Sequence, residues 1–144
     1  LWDDAAGTWC SRDVLTGRPS GFVTSASFLS FYAGLSDLGR DAAMLAHFDR
    51  IAGLARHMVP SLDPADPGFQ MVRYWRGPVW AVVNWMVGVG LAEAGQHERA
   101  ARVRADTLAL IAGSGFHEAF SPIDGSPSGG DSFSWTAAIW LAWR

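Results

Sequence analysis

The sequence is short of three residue types. Its 144 residues include no lysine, one cysteine and three glutamates, and all 11 basic residues are arginine. The formal net charge of −3 provides no strongly basic surface, so we expect no nucleic-acid partner. The single Cys10 rules out an internal disulfide and fits a reducing compartment. No signal-peptide pattern opens the chain, and we therefore expect a cytoplasmic protein.

Long apolar runs are also missing. The longest, residues 79–92, has 14 residues and contains Asn84, whereas a membrane span needs about 20 apolar residues. This run therefore predicts a buried helix, and no membrane partner is expected.

Motifs for metals and cofactors are absent from the sequence. The histidines show no H-E-x-x-H spacing and no C-x-x-C pair accompanies them, which argues against a zinc site. No glycine motif for phosphate binding occurs. The turn-rich segment DPADPG, residues 63–68, holds two acids, and calcium there is a minor alternative. We expect neither a metal nor a cofactor.

What the sequence does contain is two kinds of helical pattern in alternation. Residues 25–38, 78–95 and 132–143 are apolar on nearly every side, which predicts inner helices buried on most faces. Residues 40–57 and 97–112 combine charges with apolar stripes at helical spacing, which predicts amphipathic outer helices.

The pattern repeats with a period of about 54 residues. Thr24 and Asp131 are predicted N-caps of the first and third inner helices, and Pro78 is predicted in the first turn of the second. Units of this size that cannot bury their own apolar face stack side by side. A ring of helical hairpins, with apolar helices inside and amphipathic helices outside, satisfies the pattern, and so does an open solenoid.

Three long loops, residues 11–24, 59–77 and 113–131, each lead into an inner helix. They are rich in glycine, proline and aromatic residues, and loops longer than about 12 residues are usually functional or disordered. Their aromatic residues argue against disorder. We expect the loops to meet on one rim, where the positive ends of helix dipoles favour oxygen-rich or anionic ligands.

Two of these loops carry candidate functional residues. Glu118 lies between Phe116 and Phe120 in a glycine- and proline-rich segment, whereas the other two glutamates lie in a polar helical run. In YWRGPVW, residues 74–80, aromatic side chains flank an arginine, which suits stacking on sugar rings and hydrogen bonding to hydroxyl groups. The alternative is that the tryptophans pack the core. We expect core packing for the tryptophans inside apolar helices: Trp85, Trp140 and Trp143.

Three segments together resemble a known enzyme family. YWRGPVW (74–80), FHEAFSPIDG (116–125) and FSWTAA (133–138), preceded by LWDDAAGTW and SASFLSFYAG, are similar to the C-terminal part of the catalytic domain of glycoside hydrolase family 63. The likeness is greatest to the bacterial mannosylglycerate and glucosylglycerate hydrolases and covers essentially the whole chain. It implies an all-α fold made of the helical hairpins of an (α/α)6 barrel. Residues 1–144 are then the C-terminal portion of one catalytic domain.

The resemblance also implies a function, the inverting hydrolysis of an α-glucoside or α-mannoside as a small carbohydrate substrate. Glu118 is implied to be the general base, which activates a water on the face of the sugar opposite the leaving group. The alternative for Glu118 is a structural role, in which it caps a helix or pairs with an arginine.

Further site residues are implied by the same resemblance. Tyr74, Trp75 and Trp80 are expected to line the sugar subsite. Arg76 is expected to fix the substrate or the base. Trp135 stands at the start of the last inner helix and is expected close to the pocket.

The family's general acid has no counterpart in this chain. That residue is an aspartate upstream of the matching motifs, and no aspartate here has its sequence context. Three inner and two outer helices also make less than half of a six-hairpin ring. The chain ends on LAWR inside a predicted helix, so we expect it to be part of a longer protein. Alone, it is expected to lack hydrolase activity, and either to associate with copies of itself or to need the N-terminal part of the barrel.

Two alternative functions stay open at this point. One is a trehalase-like or debranching enzyme with the same barrel. The other is a non-catalytic carbohydrate-binding or scaffold module, in which the tryptophans are structural. Replacing Glu118 with glutamine distinguishes the second from an enzyme, because only an enzyme loses turnover.

Overall fold

A computed structural model describes residues 1–35 and 37–144 of the chain. In chain order, the elements within these ranges are β1 (Trp2–Asp3), β2 (Thr8–Trp9), a 3-10 turn (Ser25–Phe28), α1 (Leu29–Tyr32), α2 (Leu38–Ala52), a second 3-10 turn (Tyr74–Arg76), α3 (Ala81–Glu93), α4 (His97–Ser114), β3 (Ala119–Phe120), β4 (Pro127–Ser128) and α5 (Ser134–Trp143). β1 pairs with β2 and β3 with β4, both antiparallel. The all-α prediction is confirmed, and the two short hairpins are features that helical periodicity does not predict.

The helices form an inner row and an outer layer. α3 lies between α1 and α5 and contacts both, while α4 packs against α3 and α5. One apolar core joins the first 3-10 turn, α2 and α3 through residues such as Phe28, Phe48 and Val87. A second core contains Leu110 of α4 and Ile139 of α5. α3 is buried along most of its length, as predicted for an inner helix. α5 exposes Trp135 and Leu141, so its predicted burial on most faces is not observed in this chain.

Two glycines of α3 set its distance from the neighbouring inner helices. A Cβ at Gly90 would lie 2.2 Å from the backbone nitrogen of Tyr32 at the end of α1. A Cβ at Gly88 would lie 2.9 Å from the ring of Trp143 in α5. Because backbone atoms cannot swing aside as side chains can, the contact with α1 requires glycine at position 90.

The first inner helix is shorter than the predicted range 25–38. It consists of a 3-10 turn and α1, which ends at Tyr32 and is followed by Gly34 with a φ of +66°. Thr24 is the N-cap residue, as predicted. Ser36, which falls in the predicted range, lies outside the described residues.

The first outer helix, α2, also ends before the predicted residue 57. Its N-cap is Asp37, whose carboxylate accepts hydrogen bonds from the N–H groups of Gly39 and Arg40. The helix ends at Ala52 with Gly53 at the C-cap, where the low helix propensity of glycine favours a helix end.

The second inner helix, α3, begins later than predicted. Pro78 does not lie in its first turn, because Val79 exchanges two backbone hydrogen bonds with Phe120 and is extended. Trp80 is the N-cap and the helix starts at Ala81. The prediction for Pro78 was therefore wrong.

The third inner helix, α5, is capped by Phe133 and not by the predicted Asp131. Ser132 has a φ of +54°, and the N–H of Phe133 is bonded to the carbonyl of Phe116. Both features delay the helix start. The second outer helix, α4, agrees with the predicted 97–112 except at its last turn. Among the described residues, no helix is both long and apolar enough to cross a lipid bilayer.

Candidate functional site

The three long loops are joined by backbone hydrogen bonds. The N–H of Asp63 donates to the carbonyl of Val23 at 3.0 Å, which links the first loop to the second. Val79 donates to the Phe120 carbonyl at 2.7 Å and accepts from the Phe120 N–H at 3.0 Å. Val79 is also bridged to Pro60. The loops therefore meet, as the helix pattern predicted.

Three aromatic residues at the end of the second loop and the start of α3 form one cluster: Tyr74, Trp75 and Trp80. The rings of Trp75 and Trp80 are stacked, with centroids 4.3 Å apart and planes at 13°. The Tyr74 ring meets both edge-on, at 5.2 Å from Trp80 and 5.7 Å from Trp75. Trp80 is only 3% exposed, whereas Trp75 is 46% exposed and Tyr74 62%. Trp80 thus packs in the interior, and the rings of Trp75 and Tyr74, which pack against it, are accessible to solvent.

Main-chain geometry fixes this aromatic cluster. The indole N–H of Trp80 donates to the Tyr74 carbonyl at 3.2 Å. Gly77 packs so tightly that a Cβ there would lie 2.4 Å from the Gln70 carbonyl oxygen, and its N–H donates to the Ser61 hydroxyl at 2.9 Å. Tyr74 has a φ of +37°, a conformation that is uncommon for residues other than glycine and clusters at functional sites.

Trp75 also lines a groove of about 320 Å³. The other lining residues come from the end of the first loop, the first inner helix, the second loop and α3, and they are Thr24, Ser25, Ala26, Leu29, Ser61 and Val83. Concave, mostly apolar surfaces with few polar groups are typical of small-molecule sites. One edge of the aromatic cluster therefore faces a concave surface that two of the three loops share.

Glu118 directly precedes β3 and is half-buried. Its N–H donates to the Gly130 carbonyl at 2.9 Å, and its carboxylate oxygen Oε2 accepts the Gly130 N–H at 3.3 Å. None of the ion pairs among the described residues includes Glu118, and its carboxylate caps no helix. The structural alternative for this residue, a helix cap or an arginine pair, is therefore not supported.

The segment before Glu118 is tied to the start of α5. The carbonyl of Phe116 accepts the Phe133 N–H at 2.7 Å. The carbonyl of His117 accepts the hydroxyl of Thr136, also at 2.7 Å, and Thr136 is only 1% exposed. Two consecutive carbonyls ahead of Glu118 are thus held by one helix.

The remaining predicted site residues are less enclosed. Arg76 is exposed and ends the second 3-10 turn. Its carbonyl accepts the Gln70 N–H at 2.7 Å, and no hydrogen bond from its guanidinium group occurs among the described residues. Trp135 is 56% exposed, and its ring meets that of Phe133 at 5.6 Å. The structure joins Tyr74, Trp75 and Trp80 directly, and relates Trp135 to the Glu118 loop only through its chain neighbours.

The three tryptophans predicted to pack the core do so. All pack partly buried against the second apolar core: Trp85, Trp140 and Trp143. This outcome separates them from Trp75, which is 46% exposed.

Asn84 supports the loops from inside α3. It is fully buried, and its amide nitrogen donates to the Met58 carbonyl and to the Thr107 hydroxyl, both at 2.7 Å. Its amide oxygen accepts the Val59 N–H at 3.0 Å. This role was missed from the sequence, although an asparagine within a long apolar run was the signal for it.

Asp63 of the second loop forms an ion pair with Arg50 of α2. The guanidinium forms two hydrogen bonds with the carboxylate, one of them 3.1 Å long. Burial raises the pKa of Asp63, but the Arg50 hydrogen bond and the Ala65 N–H outweigh this, and the pKa lies below its ordinary value. The described residues contain no group of three or more His, Cys, Asp or Glu side chains placed to hold a metal ion.

Comparison with known proteins identifies relatives over nearly the whole chain. Residues 1–136 match the mannosylglycerate hydrolase MGH1-like glycoside hydrolase domain. A mannosylglycerate hydrolase of Thermus thermophilus is 45% identical over 143 residues, which are 99% of this chain and 34% of that protein. The glucosylglycerate hydrolase of Mycolicibacterium hassiacum is 33% identical over 146 residues, which cover 98% of this chain and 33% of the relative.

Solved structures are similar over the same region. A glycoside hydrolase family 63 mannosylglycerate hydrolase from Thermus thermophilus, in complex with Tris and D-glycerate, has a TM-score of 0.96 and 45% identity. The match covers 99% of this chain and 35% of that chain. The complex of that enzyme with glucose has a TM-score of 0.94 and 43% identity over 99% and 36% of the two chains. The present chain thus spans about one third of the length of the relatives that it matches.

Proposed function

Because this chain belongs to the family of mannosylglycerate hydrolase MGH1-like glycoside hydrolase domains, we propose that it supplies the general base and part of the sugar site of an inverting glycoside hydrolase. The proposed substrate is a small α-mannoside or α-glucoside. A sugar linked to glycerate is the specific candidate, since relatives are named mannosylglycerate hydrolase and glucosylglycerate hydrolase.

One observation carries this proposal. Val79 and Phe120 exchange two backbone hydrogen bonds, so the residue before Trp80 of the aromatic cluster is held against the strand that follows Glu118. A carboxylate beside aromatic rings is what glycoside hydrolysis needs, because the rings hold the sugar while the carboxylate acts on water. Oε2 of half-buried Glu118 accepts the Gly130 N–H. Within residues 1–35 and 37–144 no hydrogen bond reaches Oε1, and this oxygen is proposed to accept the water.

In the proposed reaction, Glu118 removes a proton from a water molecule as the water oxygen attacks the anomeric carbon. The bond from this carbon to the leaving oxygen breaks, and a second carboxyl group gives that oxygen a proton. Attack from the face opposite the leaving group inverts the configuration, and the two carboxyl groups then stand about 6.5–9.5 Å apart. The second group, the general acid, is proposed to come from outside residues 1–144.

The aromatic cluster is proposed to hold the sugar. The exposed ring of Trp75 stacks on the apolar face of the sugar, and the hydroxyl of Tyr74 bonds to a sugar hydroxyl. Arg76, exposed beside them, is proposed to fix the substrate, for which a glycerate carboxylate is a suitable partner. Trp135 is proposed to border the same site.

The rest of the barrel is the proposed partner of this chain. Large apolar side chains remain exposed beyond α1 and on α5, among them Leu35 at 52% and Leu141 at 74%. Patches of this kind are normally covered in a folded protein. We propose that the other hairpins of the ring cover both ends of the inner row and supply the general acid.

The experiment that tests the function uses a chimera, in which residues 1–144 replace the matching segment of the Thermus thermophilus mannosylglycerate hydrolase. The 45% identity between the two supports such an exchange. The chimera is expected to hydrolyse mannosylglycerate or glucosylglycerate with inversion. Glu118→Gln in the chimera is expected to lower kcat by about 10²–10⁴-fold, the usual contribution of a general base, while sugar binding persists.

Glu93→Gln is the matched control, because Glu93 is exposed at the end of α3. It should leave kcat unchanged. A folded chimera without turnover, or full turnover in Glu118→Gln, would reject the proposed function. Retained sugar binding without turnover in the unsubstituted chimera would favour a non-catalytic carbohydrate-binding module.

A further inference from the structure

The start of α5 holds the loop that carries Glu118, through contacts that the reaction itself does not explain. We infer that Thr136 and the Gly129–Gly130 turn are positioning residues, which together fix where the Glu118 carboxylate stands. This inference rests on the proposed role of Glu118 as general base. It adds the residues through which α5 sets the geometry of that base.

Gly130 holds the side chain of Glu118 relative to its own backbone. Glu118 donates its N–H to the Gly130 carbonyl at 2.9 Å, and the Gly130 N–H returns a bond to Oε2 at 3.3 Å. The bond to Oε2 is longer than an ordinary N–H···O bond, so it guides the side chain, while the shorter bond holds the backbone. The two hydrogen bonds between Glu118 and Gly130 therefore restrict the carboxylate to one side of the β3–β4 hairpin.

Gly129 provides the surface on which the Glu118 side chain lies. A Cβ at this position would stand 2.3 Å from Oε2 of Glu118 and 2.7 Å from its Cβ. Gly129 also has a φ of +75°, a conformation that favours glycine. Any side chain at position 129 would push the carboxylate away from its observed place.

Thr136 holds the peptide that precedes Glu118. A threonine within a helix commonly donates its hydroxyl to the carbonyl four residues earlier, as Thr107 does to Val103 at 2.8 Å. Thr136 stands in the first turn of α5, where the residue four positions earlier precedes the helix. Its hydroxyl donates to the carbonyl of His117 at 2.7 Å, nineteen positions away in the chain. A buried hydroxyl directed at the residue before Glu118 ties the base to a rigid helix.

Precise placement matters to the proposed step because the carboxylate must reach a water that is itself aligned with the anomeric carbon. A misplacement of about 1 Å can lower a rate by about 10²-fold without weakening binding to the same degree. The loss of a positioning residue should therefore appear in kcat and leave KM nearly unchanged.

The first test compares two substitutions of Thr136 in the chimera. Thr136→Val keeps the shape of the side chain and removes the hydroxyl, whereas Thr136→Ser keeps the hydroxyl. We expect Thr136→Val to lower kcat by at least about tenfold with KM within about twofold, and Thr136→Ser to restore most of kcat. Equal kcat in the two variants, or a change in KM alone, would overturn the inference.

The second test uses Gly129→Ala, with Gly113→Ala in α4 as the control, since a Cβ at Gly113 meets no atom within 4 Å. Gly129→Ala should lower kcat by at least about tenfold, and the control should not. If Thr136→Val fails to fold, Gly129→Ala decides alone, and full kcat in that variant contradicts the inference. Full turnover in Glu118→Gln would contradict the proposed function itself. If Glu118→Gln loses turnover while Thr136→Val and Gly129→Ala keep a normal kcat, only the present inference is overturned.

Discussion

Val79 and Phe120 lie opposite each other and exchange backbone hydrogen bonds of 2.7 and 3.0 Å, although they are far apart in sequence. Both side chains are almost fully buried in the second apolar core. The pair fixes the entry of α3 against the strand after Glu118. Distances between the aromatic cluster and the Glu118 loop are therefore set by main-chain bonds and core packing, which substitutions of exposed residues should not disturb.

Trp75 is expected to contribute mainly to substrate binding. Its ring is backed by Trp80 at 4.3 Å and is 46% exposed. In the chimera, Trp75→Ala should raise KM by about tenfold or more, equivalent to about 1.4 kcal/mol of binding free energy. Trp75→Phe should recover part of this loss. Unchanged KM in Trp75→Ala, measured by initial rates, would exclude the ring from the sugar site.

Asn84 is expected to be a stability residue. Asn84→Ala leaves the Val59 N–H and the Met58 carbonyl without their partner inside the protein. The expected loss is about 2–4 kcal/mol in the free energy of unfolding, since each buried unpaired group costs about 1–3 kcal/mol. Thermal unfolding of the chimera should show a lower Tm. Gln70→Ala, at an exposed position, is the control and should leave Tm nearly unchanged.

Gly90 should tolerate no side chain. Gly90→Ala places a Cβ 2.2 Å from the Tyr32 backbone nitrogen, so α1 and α3 must move apart, at a cost of about 1–3 kcal/mol or more. A Cβ at Gly113 meets no atom within 4 Å, so Gly113→Ala should instead stabilise α4 by up to about 1 kcal/mol through helix propensity. Opposite shifts of Tm in the two variants are the expected result. Equal shifts would mean that α1 does not approach α3 closely.

His57 should make the protein less stable at acid pH. Burial lowers its pKa below the ordinary value, against the opposing effect of Asp106, and its Nδ1 atom has no hydrogen-bond partner among the described residues. In the unfolded chain His57 binds a proton near pH 6.5. In the folded protein the His57 side chain stays neutral to a lower pH, because its pKa is lowered. The free energy of unfolding should therefore decline as pH falls below about 6.5.

The check for this pH effect is His57→Gln. The chimera with this change should lose less stability than the unsubstituted chimera between about pH 7 and about pH 5, because the histidine whose pKa is lowered by folding is no longer present. His97→Gln, at an exposed position, serves as the control. Identical pH profiles of Tm for His57→Gln and the unsubstituted chimera would refute the prediction.

Residues 1–144 alone should not hydrolyse α-glycosides. The proposed general acid lies outside them, and general acid–base catalysis contributes about 10²–10⁴-fold for each group. Light scattering after size exclusion should show whether the exposed apolar side chains lead the chain to associate with copies of itself. Measurable turnover by the chain alone would mean that the acid is present in this sequence.

The sequence predicts the helical framework well, because amphipathic periodicity is a local property. The bounds of α4 and the core positions of Trp85 and Trp140 follow from it directly. The starts of α3 and α5 do not, since Phe120 and Phe116 determine them through pairing with distant residues. Cytoplasmic location stays a prediction.

The candidate site was only partly foreseeable from the sequence. The resemblance of YWRGPVW to a family motif predicts that Trp75 and Trp80 line the same sugar subsite; their rings are stacked, and the subsite itself stays a prediction. Nothing local indicates that Thr136 donates to His117, because the two residues are nineteen positions apart and meet only in the folded chain. The functional roles of all six predicted site residues stay predictions: Glu118, Tyr74, Trp75, Arg76, Trp80 and Trp135. The chimera variants described above test those of Glu118 and Trp75.

The stacking of Trp75 on Trp80 has a consequence for ligand affinity. A free indole on a loop would lose rotational freedom whenever a ligand settled on it, and ordering a side chain of this kind costs about 0.5–1.5 kcal/mol. Here the stacking on the buried Trp80 restricts the Trp75 ring in the folded protein without any ligand. For the sugar proposed to stack on Trp75, the rotational entropy of that ring is then lost during folding and not during binding, so more of the contact energy contributes to affinity.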